Sequence, residues 1–305
     1  MLTLKHVFEE LFDDTGSALT NHVTLRQEDI LARNFRTRKS STIVVLVPDI
    51  ANPFFSRVIR GIEQTAQRLG YAVLLGDTQG ERSREITYAN MVKTSQADGI
   101  IQLDSHVPFE KNNKHGAPIV NACDCIRDTD NQTKEIDNAL AAQKMTEYLI
   151  SLGHQNIGVI TGPINSTITQ DRLKGYKQAL EEASIDFLFE NIKLGDHSIQ
   201  SGAKATLDLM NNKNPPSAIF CMNDEMAIGA IQAMKAAGIS MDDVVVGGVD
   251  ATSDALVAMA AGEMDVTVFQ DLAGQGKCQP LATRDATILC ADERIICQIG
   301  KARLC

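Results

Sequence analysis

Short runs of apolar, mostly β-branched residues alternate along the chain with longer segments whose apolar residues recur every three or four positions. The short runs predict strands buried on both faces, and the longer segments predict helices that cover a sheet. Strands are predicted at Ile43–Val47, Ala72–Gly76, Gly99–Leu103, Ile119–Ala122, Ile157–Thr161, Ala218–Cys221, Val244–Val249 and Val266–Phe269. Helices are predicted at Phe54–Leu69, Arg82–Ser95, Ala139–Leu152, Thr169–Ala183, Ile199–Met210 and Glu225–Ala237. This alternation is typical of an α/β fold with parallel sheets flanked by helices.

Three of these predicted helices are followed directly by a glycine, at Gly70, Gly153 and Gly238. The residue after a helix often takes the left-handed conformation, which glycine adopts without the steric cost of a Cβ atom. We therefore expect these helices to end at the three glycines.

Length and composition indicate two soluble lobes. The chain has 305 residues, of which 44% are hydrophobic and 22% charged, whereas single cores stop growing near about 250–300 residues. It contains no apolar run of the roughly 18 residues that a membrane helix requires. The acidic first residues also lack the basic start of a signal peptide, so we expect a cytoplasmic protein. Seven cysteines without paired spacing favour reduced thiols.

Charge is unevenly distributed at the N-terminus. The net charge of −10 argues against a general polyanion binder. Residues 1–30 hold six acidic residues against Lys5 and Arg26, whereas residues 31–39 hold four basic residues and no acid. A short basic segment thus precedes the first predicted strand.

Signals for catalysis are weak. The sequence has no Gly-rich phosphate loop, no pair of histidines at metal-binding spacing, no Gly-x-Ser-x-Gly motif and no cysteine cluster at zinc spacing. We therefore expect neither an enzyme nor a bound metal or cofactor.

The segment Val47–Phe55, with the sequence VPDIANPFF, ends a predicted strand in a polar turn and opens a helix with two aromatic residues. Ligands of open α/β sheets bind at this carboxyl edge. Asn52 offers hydrogen bonds to hydroxyls, and Phe54 and Phe55 can pack on a sugar or a base. The structural alternative is a helix cap at Asn52, followed by Pro53 at the first helical position and two core aromatics.

The segment 47–55 and four others together resemble the effector-binding core of the LacI-type transcriptional repressors. The others are Gly70-Tyr71, LGHQNIGVITG at 152–162, RLKGY at 172–176 and NDEMAIGA at 223–230. The resemblance covers about residues 31–250, and Ile43–Asp77 is most similar to the cytidine-responsive branch. It implies a two-lobed, type I periplasmic-binding-protein-like fold, shared with ribose-type sugar-binding proteins, with the ligand in an interlobe cleft. Lobe one would comprise about 41–138 plus 271–305, and lobe two about 139–270.

The same resemblance assigns a set of ligand-binding residues. They are Asn52, Phe54, Phe55, Cys123, Arg172, His197, Asn223, Asp250 and Gln270. The carboxylate of Asp250 and the donor fork of Arg172 have the chemistry to grip vicinal hydroxyls. Taken alone, Arg172 is more often a surface residue and Asp250 a turn former. His197 stands where the family often has an aromatic cover, and Cys123 stands where it usually has Asp or Asn.

The two ends depart from the family pattern. Residues 1–30 begin like the family's helix-turn-helix at Thr3–Val7 and then diverge, which predicts a degenerate DNA-binding headpiece. Residues 31–40 are similar to the hinge helix that inserts an apolar side chain into the minor groove, with Phe35 at the inserted position. The predicted hinge contacts are Leu31, Arg33, Phe35, Arg36 and Arg38. The alternative is a basic linker. Beyond Gly248 the sequence is more similar to that of transport-type sugar-binding proteins.

The sequence therefore predicts a LacI-type transcriptional regulator that acts as a homodimer. Its partners would be DNA, bound weakly, and a small polyhydroxylated effector such as a nucleoside or a pentose. The alternative is a sugar-binding receptor of the ribose type without a DNA function.

We expect the 305-residue chain to bind DNA weakly and without strong sequence preference. Base-specific readout needs side chains in the major groove, and residues 6–30 lack the family's recognition pattern. Basic hinge residues alone give salt-sensitive affinity of the order of 10⁻⁴ to 10⁻⁶ M. A competition gel shift between palindromes and random duplex tests this expectation. Discrimination of about a thousandfold would contradict it.

Overall fold

The computed structural model describes residues 39–103, 118–121 and 137–270, together with two strands at 286–290 and 297–299. The chain divides into two compact units. The first comprises Met1–Lys134 and Ala273–Pro280, and the second comprises Glu135–Leu272 and Leu281–Cys305.

The described part of the first unit is a parallel sheet with helices on both faces. Its elements are β1 (Thr42–Val47), α1 (Pro53–Arg68), β2 (Ala72–Asp77), α2 (Arg82–Lys93), β3 (Gly99–Gln102) and β4 (Ile119–Asn121). The strand order is β2-β1-β3-β4. Alternate residues of β1 point to opposite faces, so Ile43 and Val45 pack with Ile62 of α1, while Val44 and Leu46 pack with Ala89 of α2.

The second unit has a larger sheet. Its elements are α3 (Asn138–Ser151), β5 (Ile157–Thr161), α4 (Thr167–Glu182), β6 (Ile192–Leu194), α5 (Ile199–Met210), β7 (Ala218–Cys221), α6 (Asp224–Ala236), β8 (Val245–Val249), α7 (Ser253–Ala260), β9 (Val266–Gln270), β10 (Ala286–Cys290) and β11 (Cys297–Ile299). The strand order is β11-β10-β9-β8-β7-β5-β6. The strands from β9 to β6 are parallel, whereas β10 and β11 are antiparallel to their neighbours.

The helices of the second unit pack in pairs through glycines. A Cβ atom on Gly175 of α4 would overlap the backbone carbonyl oxygen of Ala139 in α3, and one on Gly229 of α6 would overlap that of Ile199 in α5. These helix pairs therefore approach to backbone contact. They cover a core whose large buried side chains include Met145, Tyr176 and Phe220.

The predicted fold class is confirmed, and all eight predicted strands and six predicted helices are present. Gly70, Gly153 and Gly238 have φ values of 79°, 95° and 70°, which confirms the predicted helix ends. Helix α7 and the strands β6, β10 and β11 were not predicted from the sequence.

One difference concerns the C-terminal segment, since residues 271–305 were predicted to belong to the first lobe. In the structure, residues 286–290 pair with β9 in the sheet of the second unit. The physical reason is local, because a strand that follows β9 closely in sequence can pair with its open edge in antiparallel fashion.

Candidate functional site

Four predicted ligand residues of the second unit follow the carboxyl ends of its parallel strands. Arg172 lies on α4 after β5, His197 follows β6, Asn223 follows β7 and Asp250 follows β8. The carboxyl ends of parallel strands meet at one edge of a sheet, which is where α/β proteins bind ligands. The hydrogen bonds described below link Arg172 to the end of β7 and Asn223 to His197.

The Arg172 guanidinium is held in place by the protein. It is 5% exposed, its Nε donates to Asn138 Oδ1 at 3.0 Å, and a terminal nitrogen donates to the backbone carbonyl of Met222. A guanidinium presents five N–H donors in a rigid plane, so these two bonds fix the direction of the whole fork. The structure thus places Arg172 as a buried residue, in contrast to the surface alternative.

Asn223 connects two parts of the site. Its Oδ1 accepts from the backbone N–H of Met226 at 3.1 Å, which caps α6, and its Nδ2 donates to the carbonyl of His197 at 3.0 Å. The side chain is buried. Its amide therefore fixes the loop that carries His197, and its direct contact with a ligand stays a prediction.

The His197 imidazole lies against the backbone at the end of β5. A Cβ atom on Gly162 would overlap Cε1 and Nε2 of the ring, so glycine is required for this approach. Burial, followed by the positive charge of Arg172, lowers the pKa of His197 to about 4, and Asp196 opposes this shift. The imidazole is therefore neutral at physiological pH and presents a flat, uncharged ring.

We expect protein stability to depend on His197 in mildly acidic solution. In the unfolded chain the imidazole protonates near pH 6.5, whereas the pKa in the folded protein is about 4. Stability is then fully present above about pH 6.5 and is lost as pH falls toward 4. Between about pH 7.5 and about pH 5, the free energy of unfolding should fall by about 2 kcal/mol more for the wild type than for His197→Asn.

Denaturant unfolding of both proteins at the two pH values measures this difference. The opposite contribution of Asp224, whose pKa is raised, is present in both proteins and cancels. Equal losses in the two proteins would contradict the assignment.

Asp250 occupies an unusual backbone conformation. Its φ is 112°, and that of Ala251 is 48°, although neither is glycine. The Asp250 N–H donates to the carbonyl of Val268 at 2.9 Å, and the Ala251 N–H donates to the Thr267 hydroxyl at 3.3 Å. Such conformations cost about 1–3 kcal/mol each and occur most often at functional sites, where the surroundings maintain them.

Two further residues at this edge were not identified from the sequence. Asp224 is buried, and its carboxyl accepts hydrogen bonds from the Thr252 N–H and the Thr267 hydroxyl. Thr169 on α4 has a buried hydroxyl with no hydrogen-bond partner within the described part of the chain, close to Gly162. The acidic start of α6 was visible in the sequence, but it also fits ordinary helix capping.

In the first unit, the structure shows the capping arrangement at the predicted aromatic motif. Asn52 Oδ1 accepts from the Phe54 N–H at 2.9 Å, and Pro53 opens α1. Phe55 packs against the core, and Phe54 meets it edge-on with ring centroids 5.1 Å apart. The roles of Asn52, Phe54 and Phe55 toward a ligand stay predictions.

Of the remaining predicted residues, the structure describes the backbone of only one. Gln270 ends β9. Cys123 and the hinge residues Leu31, Arg33, Phe35, Arg36 and Arg38 lie outside the described residues. Among those that are described, no group of three or more His, Cys, Asp or Glu residues is placed to hold a metal ion. No helix in the described ranges has the length and apolarity needed to cross a membrane.

Comparison with known proteins extends these observations. Residues 40–275 match the family model of periplasmic binding proteins and the sugar-binding domain of the LacI family. The chain is 38% identical to the repressor CytR of Escherichia coli K12 over 240 residues, 76% of this chain and 70% of that protein. It is 32% identical to the ribose operon repressor of Haemophilus influenzae over 212 residues, 68% of this chain and 64% of that protein.

Two solved structures share the fold. A putative LacI transcriptional regulator from Bacillus cereus subsp. cytotoxis has a TM-score of 0.69 at 30% identity. The match covers 76% of this chain and 84% of that chain. The Caulobacter myo-inositol binding protein, solved with myo-inositol bound, also has a TM-score of 0.69, at 26% identity, and covers 77% of this chain and 83% of its own.

Proposed function

Since the chain belongs to the family of periplasmic binding proteins and LacI-type sugar-binding domains, we propose that it is a transcriptional regulator whose second unit binds a small polyhydroxylated effector. The observation that carries this proposal is the buried guanidinium of Arg172, fixed at the carboxyl edge of the sheet that also carries His197, Asn223 and Asp250. A buried, oriented donor fork at this edge suits a ligand rich in acceptor oxygens.

The chemistry of the four residues narrows the effector class. Arg172 supplies donors and Asp250 supplies acceptor oxygens, a combination that suits vicinal hydroxyls, which both donate and accept. The neutral ring of His197 suits the apolar face of a sugar or a base. A nucleoside or a pentose has both features. The named relatives support this class, since one is a ribose operon repressor and one structure holds myo-inositol.

In this proposal the protein works by a shift between conformations. Effector binding favours one conformation of a cytoplasmic homodimer and thereby changes its affinity for DNA. The relatives reported above are repressors and sugar-binding proteins, which supports a binding role over a catalytic one. The alternative is a sugar-binding receptor without a DNA function, and the likeness to the myo-inositol binding protein favours it. DNA affinity measured with and without effector separates the two.

The test of effector binding is calorimetry with a panel of pentoses and nucleosides. We expect binding by the wild type that Asp250→Asn weakens about tenfold, because the charge-assisted bonds from ligand hydroxyls become neutral. The matched control is Asp254→Asn, an exposed residue in the first turn of α7, which should bind like the wild type. Equal affinities of the wild type and Asp250→Asn would remove Asp250 from the site.

A further inference from the structure

One buried carboxyl connects the turn that carries Asp250 to the rest of the second unit. Asp224 begins α6 and is fully buried. Its Oδ2 accepts from the Thr252 N–H at 2.7 Å, and its Oδ1 accepts from the Thr267 hydroxyl at 2.6 Å. A single side chain thus ties the entry to α7 and strand β9 to the start of α6.

The turn depends on such a connection. Asp250 and Ala251 have positive φ values, which non-glycine residues keep only when neighbouring groups hold them. The Thr267 hydroxyl extends the link, because it accepts from the Ala251 N–H at 3.3 Å while it donates to Asp224. Asp224 therefore holds the backbone N–H of Thr252 directly and that of Ala251 through the Thr267 hydroxyl.

The packing around Asp224 permits this close approach. A Cβ atom on Gly248 in β8 would overlap Oδ1 of Asp224, so the carboxyl takes the space that a side chain would fill. Asn223, which precedes Asp224, holds the loop of His197. Two adjacent residues at the start of α6 thus fix two different parts of the candidate site.

We propose that Asp224 is a positioning residue of the effector site, which holds the Asp250 turn in its binding conformation through Thr252 and Thr267. This inference rests on the proposed function for its consequence, but the link itself exists without a ligand and can be tested without one.

The proton on Asp224 should then modulate effector affinity. Burial raises the pKa of Asp224 to about 7, with a smaller contribution from Glu225 in the same direction, while hydrogen bonds from Thr267 and Thr252 oppose the shift. An ionised carboxylate accepts two charge-assisted bonds, whereas the protonated acid uses one oxygen as a donor. The turn is therefore held more firmly above pH 7 than below it.

The surroundings of Asp224 contain few other groups that titrate. On its own helix the neighbour is Glu225, and from β7 the Cys221 thiol faces it with a raised pKa, which keeps that thiol protonated. Among the described residues, β8, β9 and the start of α7 contribute Gly248, Thr267 and Thr252, which carry no charge. Within the turn itself, Asp250 is a further charged residue, two positions before Thr252.

Calorimetry with D-ribose and uridine at about pH 6 and about pH 8 tests the consequence, since neither probe titrates in this range and the His197 pKa of about 4 lies below it. We expect wild-type affinity to fall at least about threefold from the higher to the lower pH. Asp224→Asn should bind more weakly than the wild type at the higher pH and show no pH dependence. Thr267→Ser keeps the hydroxyl and should have the affinity and pH dependence of the wild type. Thr267→Val lacks the hydroxyl and should differ from the wild type in both.

The link is tested separately by amide NMR of the ligand-free chain. The N–H resonances of Thr252 and Ala251, which bond Asp224 and the Thr267 hydroxyl, should titrate with a midpoint near pH 7 in the wild type. Asp224→Asn should abolish the titration, and if that variant does not fold, Thr267→Val compared with Thr267→Ser gives the same test. Flat resonances in the wild type, or wild-type affinity and pH dependence in Asp224→Asn, would overturn the inference. Intact titration without binding of either probe would instead refute the proposed effector class.

Discussion

Replacing Arg172 with alanine should weaken effector binding by about ten- to a hundredfold. Each charged hydrogen bond to a ligand contributes about 1.5–3 kcal/mol in a desolvated site, and every factor of ten in affinity corresponds to about 1.4 kcal/mol. The side chain also bonds Asn138 and the Met222 carbonyl, so its loss removes the fork and disturbs its support. Calorimetry with the tightest-binding pentose or nucleoside measures the effect.

A second variant separates charge from geometry. Arg172→Lys keeps the positive charge but loses the planar fork, so it should recover only part of the lost affinity. Thermal unfolding of both variants shows whether the second unit remains folded. Arg172→Ala with wild-type affinity would mean that the effector binds elsewhere.

Replacing Gly175 with alanine should destabilise the second unit by about 3 kcal/mol, near the upper end of the usual cost of overpacking. The added methyl group would overlap the backbone carbonyl oxygen of Ala139, and backbone atoms of a packed helix cannot move aside as a side chain can. Helices α3 and α4 must then separate. For a unit of this size the melting temperature should fall by about 10 °C.

The matched control for this substitution is Lys174→Ala, the preceding residue of the same helix. Lys174 is exposed, so its removal should change the free energy of unfolding by less than about 0.5 kcal/mol. Equal melting temperatures for Gly175→Ala and Lys174→Ala would show that α3 and α4 do not pack at backbone contact.

Strands whose residues are buried throughout are readily predicted from the sequence. Every residue of β5 and β7 is buried, and their uninterrupted apolar runs are easily recognised. Strand β6 has only three residues, and its last, Leu194, is exposed, so it has no comparable pattern. Helix α7 has eight residues, too few for an apolar period to stand out.

Within the candidate site, the residues predicted from the sequence belong to recognisable segments, and the structure shows Arg172 and Asp250 buried. It did not find Asp224, because the partners of this carboxyl are distant in sequence. Thr252 lies 28 residues away and Thr267 lies 43 residues away. Only the order of strands in the sheet brings these groups together, and that order is a property of the tertiary structure.

A crystal structure of the chain with the tightest-binding pentose or nucleoside tests the proposed effector site most directly. We expect the hydroxyls of the ligand to bond the Arg172 guanidinium and the Asp250 carboxylate, with the His197 ring against the ligand. A ligand bound away from these three residues would contradict this expectation.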